Sequence, residues 1–270
     1  MKQIDVESWE QFEEKLRILI MDRSERKSTT SLHVSPFMFR GQSSNSWQLT
    51  TTLERNDREK MPLKQYYRLI SIVKPQIETF TGTTWDIMSY DEYLEWLYDN
   101  DTLMPGNFPA YDYIVYLRHH GFPSPLLDWT RSPYVAAYFA FRHTCDATGK
   151  VSIYVLWESP GGGKIWSSGE PHIHSLGPYV RSHRRHFLQQ SVYTICLVRK
   201  EEWNFAQHEA AFARDDANQD LLWKFNIPAI ERMKILKLLD NFSLNAFSLF
   251  GSDESLMETV ALRELHFREY

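Results

Sequence analysis

Cysteine is nearly absent: Cys145 and Cys196 are the two in 270 residues, far apart and without CxxC spacing. That excludes a disulfide-stapled scaffold, leaves room for one disulfide at most, and suits the reduced thiols of a cytoplasmic protein. Long apolar runs are missing too. No uncharged stretch reaches the roughly 18 residues of a membrane span, and the stretch from Met1 to Glu7 lacks a signal-peptide core. The expectation is a soluble protein with no membrane partner. Glycine motifs are also wanting: there is no GxGxxG, GxxxxGK[ST] or GxSxG, so dinucleotide-fold, P-loop and hydrolase readings have no support. Gly161-Gly162-Gly163-Lys164 reads only as a flexible loop. His172-x-His174 and His183-x-x-His186 come without HExxH or Cys/His spacing, so no metal is expected. A net charge of −5 removes any global attraction to nucleic acid, leaving only a local patch.

Aromatic residues are abundant. Nine Trp, 14 Tyr and 16 Phe, within an apolar fraction of 43%, supply a packed core and rings that can stack on a ligand. Ser8 with Gln11 forms a capping box, and Trp9, Phe12, Leu16, Leu19 and Ile20 then share one helical face. The polar stretch Arg23 to Ser35 reads as an exposed loop. Phe37-Met38-Phe39 suits a strand with Arg40-Gly41 at its end. Helical patterns occupy Lys64 to Tyr98, which Pro75 should kink or divide, and Tyr111 to His120, which Gly121 stops. Asn100 to Pro109 is a connection. Ser132-Pro133 starts a helix running to about His143. Val151 to Trp157 and Val192 to Val198 read as strands. A helix near Pro228 uses Ile230, Met233, Leu236 and Leu239, and Ser252 caps a last one carrying Leu256, Val260 and Leu265. Strands and helices without regular βαβ alternation point to an α+β fold. A mixed or antiparallel sheet flanked by helices is expected, with no linker marking a second domain.

Three constellations can carry chemistry. Phe39-Arg40-Gly41 presents a guanidinium fork suited to phosphate, and the glycine lets a ligand approach the backbone. The segment from His119 to Pro133 packs His119, His120, Asp128, Trp129, Thr130 and Ser132 into a turn leading to a capped helix, a common ligand site. The basic run Arg181 to His186, with Arg184 and Arg185, is a candidate phosphate or nucleic-acid patch. After it, Gln189 or Gln190 can hydrogen-bond a ribose or amide.

Together these segments resemble the FRG domain. Phe39-Arg40-Gly41 matches its Phe/Tyr-Arg-Gly strand. His119, Gly121, Pro123, Leu126-Leu127-Asp128-Trp129-Thr130, Pro133, Ala136, Phe139 and Ala140 match its central stretch. Arg185, Gln189, Ser191, Tyr193 and Thr194 match its later stretch. Lys224 to Pro228 is similar to its closing region. The resemblance covers roughly Trp9 to Leu262 of a single domain over residues 1–270. Where the family carries Thr-Arg this chain has Ser124-Pro125, so an arginine's role there would pass to Arg118 or Arg131.

The order of motifs is also similar to that of ADP-ribosyltransferases of the Arg-Ser-Glu type. That likeness implies an ADP-ribosyltransferase-like fold and NAD as substrate. Arg40 and Gly41 would hold the NAD phosphates or ribose, and Thr130 and Ser132 would shape the nicotinamide-ribose pocket. Trp129 or Tyr193 would stack on the ring. The position analogous to the catalytic glutamate reads as Gln189 or Gln190. Asp128 is then the carboxylate for the cation-like transition state, and His119 or His120 the base toward the acceptor. The implied activity is ADP-ribosyl transfer to a macromolecule, or NAD cleavage, as in a toxin or phage-defence effector with a regulatory or antitoxin partner. The alternatives are a non-catalytic nucleotide- or nucleic-acid-binding module and a protein-interaction scaffold.

Overall fold

The structure, a computed structural model, describes residues 1–58, 60–99, 108–143, 148–165, 167, 169–177, 180–181, 184–214 and 216–268. Cys145, Ala147, Ser182, His183 and residues 100–107 of the expected connection lie outside the described residues. The strands are β1 (Lys2–Asp5), β2 (Met38–Gln42), β3 (Leu127–Thr130), β4 (Lys150–Trp157), β5 (His172–Leu176), β6 (Ser191–Arg199), β7 (Trp203–Phe205) and β8 (Leu221–Pro228). Among the described residues they form one sheet in the order β1-β8-β4-β2-β3-β6-β5, with β7 on β6. β1 and β8 run parallel and the other registered pairs antiparallel, so the sheet is mixed and the fold α+β. The helices are α1 (Trp9–Thr29), α2 (Leu63–Thr81), α3 (Tyr90–Asp99), α4 (Tyr111–His119) and α5 (Pro133–Phe141). They continue with α6 (Arg185–Leu188), α7 (His208–Phe212), α8 (Arg232–Asn241), α9 (Ala246–Phe250) and α10 (Asp253–Leu262).

Strand periodicity sorts the core into layers. Val151, Ile153, Val155 and Trp157 of β4 join Phe39, Phe225 and Ile227 against α1, α5 and α8. Tyr154 and Leu156 point the other way, with Met38, Trp129, Val192 and Cys196. Tyr193, Ile195 and Leu197 of β6 pack on α2, α3 and α4. Phe39 pairs with Thr130, Thr130 with Ser191 and Asp128 with Tyr193, which puts the α5 layer and the α2–α4 layer on the same face of the sheet. The two helical layers stand side by side, and the space between them opens above β3. Burying each large apolar side chain contributes about 1.5–3 kcal/mol, so this layering is strongly set.

Several elements differ from the sequence reading. α1 continues to Thr29, through residues expected to be a loop, and Ile20 is exposed. Helix there is held by side chains that need no apolar stripe. Arg26 pairs with Asp22 at 3.0 Å, and the Arg23 and Arg26 guanidinium groups lie over Phe37 and Trp157. α2 passes through Pro75 as one element; the ring sits on the exposed side, where the missing N–H costs a ladder bond but no packing. Leu127–Thr130 is a strand, not part of a turn. β1, β5, β7 and β8 were not expected as strands, and β1 extends the folded region below residue 9. Ser252 caps α10 as expected, with Ser255 completing the box, but Ser255 and Thr259 are buried while Val260 and Leu265 face out. Ile230 is likewise exposed, because a 3-10 turn (Ala229–Glu231) precedes α8 and shifts its phase. No helix of the described residues is long and apolar enough to cross a membrane.

Candidate functional site

β2 and β3 share one registered pair, Phe39 with Thr130, whereas β2 registers five residues with β4 and β3 registers four with β6. Past that single pair the two strands part. Arg40 spans the opening, and its Nη1 donates to the carbonyl oxygen of Asp128 at 2.7 Å. A side chain thus meets a backbone acceptor that a continued ladder would have met. Above the split lies a cavity of about 830 Å³. Its walls come from β2, the segment after β2, the end of α4, β3, α5 and the start of β6.

Each wall has a local cause. α4 ends where Gly121 takes φ +86°, with the Phe122 N–H returning to the Leu117 carbonyl, so Arg118 and His119 occupy its last turn. Cations are favoured at that negative end of a helix. α5 starts with Ser132 Oγ accepting from the Val135 N–H at 3.3 Å and Pro133 at the first position. Ala136 and Ala140 then let α5 lie directly on β2. A Cβ on Gly41 would stand 1.9 Å from the Ala136 carbonyl oxygen and 2.6 Å from the Ala140 nitrogen. Gly41 borders the cavity, but the backbone it admits is that of α5 rather than of a ligand.

Arg118 donates to the Asp128 carboxylate, and Arg40 Nη1 stands 3.8 Å from the same oxygen. Burial alone would raise the Asp128 pKa; the charges of Arg118 and then Arg40 outweigh it and hold the carboxyl below its ordinary range. Burial lowers the Arg40 pKa to about 10, Asp128 opposes this, and Arg118 and Arg55 add to it. Arg40 therefore stays charged at neutral pH. Arg55, from a 3-10 turn (Glu54–Asn56), also lines the cavity. Among the described lining residues, three arginines face one carboxylate, Asp128. Arg40 Nε, Arg118 Nε and Gln42 Oε1 are buried and lack a hydrogen-bond partner among the described residues. An unmet buried polar atom costs about 1–3 kcal/mol, which makes water or ligand the natural partner here.

Arg40, Gly41, His119, Asp128, Trp129, Thr130, Gln189 and Tyr193, singled out in the sequence, all border this cavity. Their side chains are not equally free. His119 Nε2 lies 2.8 Å from the Tyr193 hydroxyl, and His186 Nδ1 lies 3.4 Å from the same oxygen. Burial raises the Tyr193 pKa. Trp129 is buried and donates Nε1–H to Thr194 Oγ1 at 2.8 Å; Tyr193 is buried as well, so neither ring has an open face for a nicotinamide. Thr130 Oγ1 donates to the Gln189 carbonyl at 2.7 Å, and Gln189 Nε2 donates to the Leu249 carbonyl at 3.1 Å. Both groups are engaged in holding β3, α6 and α9 together.

The remaining candidates lie elsewhere. His120 packs on Tyr116, Ser132 caps α5, and Gln190 is an exposed turn residue at φ +48°. Arg185 lies over the Phe250 ring and Arg184 beside Gly251. None of these lines the cavity. Arg118, rather than Arg131, is the arginine that reaches it. Sequence reasoning missed Trp47, Gln42, Gln48, Ser46, Arg55 and His143, which also line it. One signal was available: Trp47 sits in a run of Ser, Asn and Gln with no apolar periodicity to bury it. Among the described residues, no group of three or more His, Cys, Asp or Glu is placed to hold a metal.

The fold and site define an α+β protein with an arginine-rich cavity at a split in its sheet. Residues 35–148 match the family model of the FRG domain. That span supplies all three cavity arginines, Asp128 and Trp47, while Gln189, Ser191 and Tyr193 come from beyond it. No curated protein and no solved structure matches the chain.

Proposed function

We propose that the cavity binds NAD and that the chain breaks the nicotinamide–ribose bond, releasing ADP-ribose or passing it to a macromolecular acceptor. The observation that carries this reading is the charge imbalance, with Arg40, Arg55 and Arg118 against Asp128. The excess positive charge suits a pyrophosphate, whose oxygens guanidinium groups grip through charge-assisted hydrogen bonds. The cavity volume of about 830 Å³ falls in the range of roughly 300–1,000 Å³ typical of small-molecule sites. Asp128 is ionised and stands in the cavity wall, where a negative charge stabilises the cation that develops at the ribose C1′. His119, oriented by Tyr193, takes the proton of the attacking acceptor or water. A toxin or defence effector restrained by a regulatory partner in the cytoplasm is the setting this chemistry fits.

A second reading has its own observation. Asp128 is engaged by Arg118 and Arg40, which spends much of the charge that catalysis would use. That favours a pocket that holds a nucleotide without cleaving it. The two separate on incubation of the purified chain with NAD labelled in the adenosine moiety, alone and in lysate. On the enzymatic reading nicotinamide is released; Asp128→Asn abolishes release while NAD still binds, and Arg40→Ala loses binding and release together. Tight NAD binding without release supports the second reading. Salt-sensitive oligonucleotide binding without NAD binding supports a nucleic-acid module instead.

A further inference from the structure

Trp47 is 56% exposed and borders the cavity, and none of the described aromatic rings packs against it. An isolated exposed indole is ordinary when its backbone is loose. Here the backbone is held on both sides. The Asn45 N–H donates to the Lys150 carbonyl at 2.9 Å, and Lys224 Nζ donates to the Asn45 carbonyl at 2.6 Å. The Tyr154 hydroxyl donates to the Trp47 carbonyl at 3.2 Å, and Gln42 Nε2 to the Gln48 carbonyl at 3.1 Å. The Leu49 N–H then donates to the Glu209 carboxylate at 3.1 Å. Lys224, Tyr154 and Gln42 are themselves buried, so the core commits polar groups to fixing a segment whose largest side chain stays open. An aromatic face held in advance over a cationic cavity is what a flat, charged ligand requires, since little ordering remains to be done on binding.

We propose that Trp47 is the stacking platform for the base of the nucleotide whose phosphates Arg40, Arg118 and Arg55 hold. The proposal rests on the nucleotide reading of this cavity and narrows it: the ligand carries a planar ring as well as phosphates, so inorganic polyphosphates and phosphorylated side chains are poor substitutes. Base–aromatic stacking tolerates any base, and Gln42, Ser46 and Gln48 line the same cavity.

The test uses ADP and inorganic pyrophosphate as paired probes, read by calorimetry on the full chain. Wild type is expected to bind ADP more tightly than pyrophosphate. Trp47→Ala should lower ADP affinity by about 10- to 100-fold and leave pyrophosphate affinity unchanged. Trp47→Phe should retain most of the ADP affinity, and Arg40→Ala should lose both ligands. Because the indole is exposed, Trp47→Ala should keep the wild-type melting temperature, which is checked alongside. Equal loss of both ligands, unchanged ADP affinity, or no preference for ADP in wild type would overturn the proposal. NAD cleavage without this preference sinks the stacking role and spares the chemistry. ADP preference without NAD cleavage does the reverse, and failure of both ADP and NAD to bind removes both.

Discussion

Lys164 pairs with Glu158 after β4 and Asp220 before β8, Arg118 with Asp128 on β3, and the two clusters are built differently. Lys164 Nζ stands 3.0 Å from Glu158 and 2.9 Å from Asp220, and also donates to the Ile173 carbonyl. Glu158 accepts a further bond from the Ser175 N–H at 3.2 Å. The three side chains are 13%, 13% and 9% exposed, so this cluster is closed, with two carboxylates to one cation. At Asp128 the ratio is inverted, the aspartate side chain is 37% exposed, and guanidinium Nε atoms go unmet among the described residues. The closed cluster ties the loop after β4 to β5 and to the residue before β8. The open one leaves positive charge facing a cavity. Inward pairing makes a strut; incomplete pairing at a wall leaves charge for a ligand to meet.

Breaking each cluster tests that contrast. Lys164→Met leaves two buried carboxylates without their cation and should cost about 3–5 kcal/mol of stability, measured by urea unfolding. Arg118→Met should cost clearly less, because Asp128 keeps Arg40 and an open face to solvent. An equal or larger loss for Arg118→Met would break the comparison. Binding should show the opposite ranking. If the cavity holds NAD as proposed, Arg40→Gln removes charge-assisted bonds worth about 1.5–3 kcal/mol, and NAD affinity by calorimetry should fall by about 10- to 150-fold. Folded Lys164→Met should bind NAD like wild type.

Much of this was legible in sequence, and the rest was hidden for physical reasons. The caps at Ser8, Ser132 and Ser252 are local and were read correctly. So were β4 and β6, whose apolar runs mark central strands. β3 was hidden because four residues between prolines show no periodicity, and β5 because buried histidines resemble ligands more than core. Arg40, His119 and Asp128 were found as a set, whereas Arg55 and Trp47 reach the cavity through a segment with no pattern of its own. Gly41 was found for one reason and has another. If its role is to admit α5, Gly41→Ala should cost about 1–3 kcal/mol in thermal unfolding, since the atoms a methyl would meet are backbone and have little room to give. A stable Gly41→Ala variant that fails to bind nucleotide would return the residue to the ligand.

The closed cluster also leaves its mark on the pH profile of stability. Burial raises the Asp220 pKa from 3.8 to about 6, against the opposing pull of Lys164 and with Glu158 adding to it. Because the folded value is above the unfolded one, the folded state holds this proton more tightly. The stabilisation from Asp220 is therefore present below about pH 4, declines as pH rises through about 6, and is flat beyond. His174 works the other way: burial, with Lys164 adding, lowers its pKa from 6.5 to about 3, so its contribution grows with pH up to about 6.5. In wild type the two slopes offset each other across that window. Asp220→Asn removes one of them, so its stability should climb more steeply than wild type between about pH 4 and 6 and run parallel above. Urea midpoints for both proteins at intervals from pH 4.5 to 7.5 measure the difference. Profiles parallel throughout would mean that Asp220 titrates alike in the folded and unfolded chain, and that the cluster is more open to water than its geometry indicates.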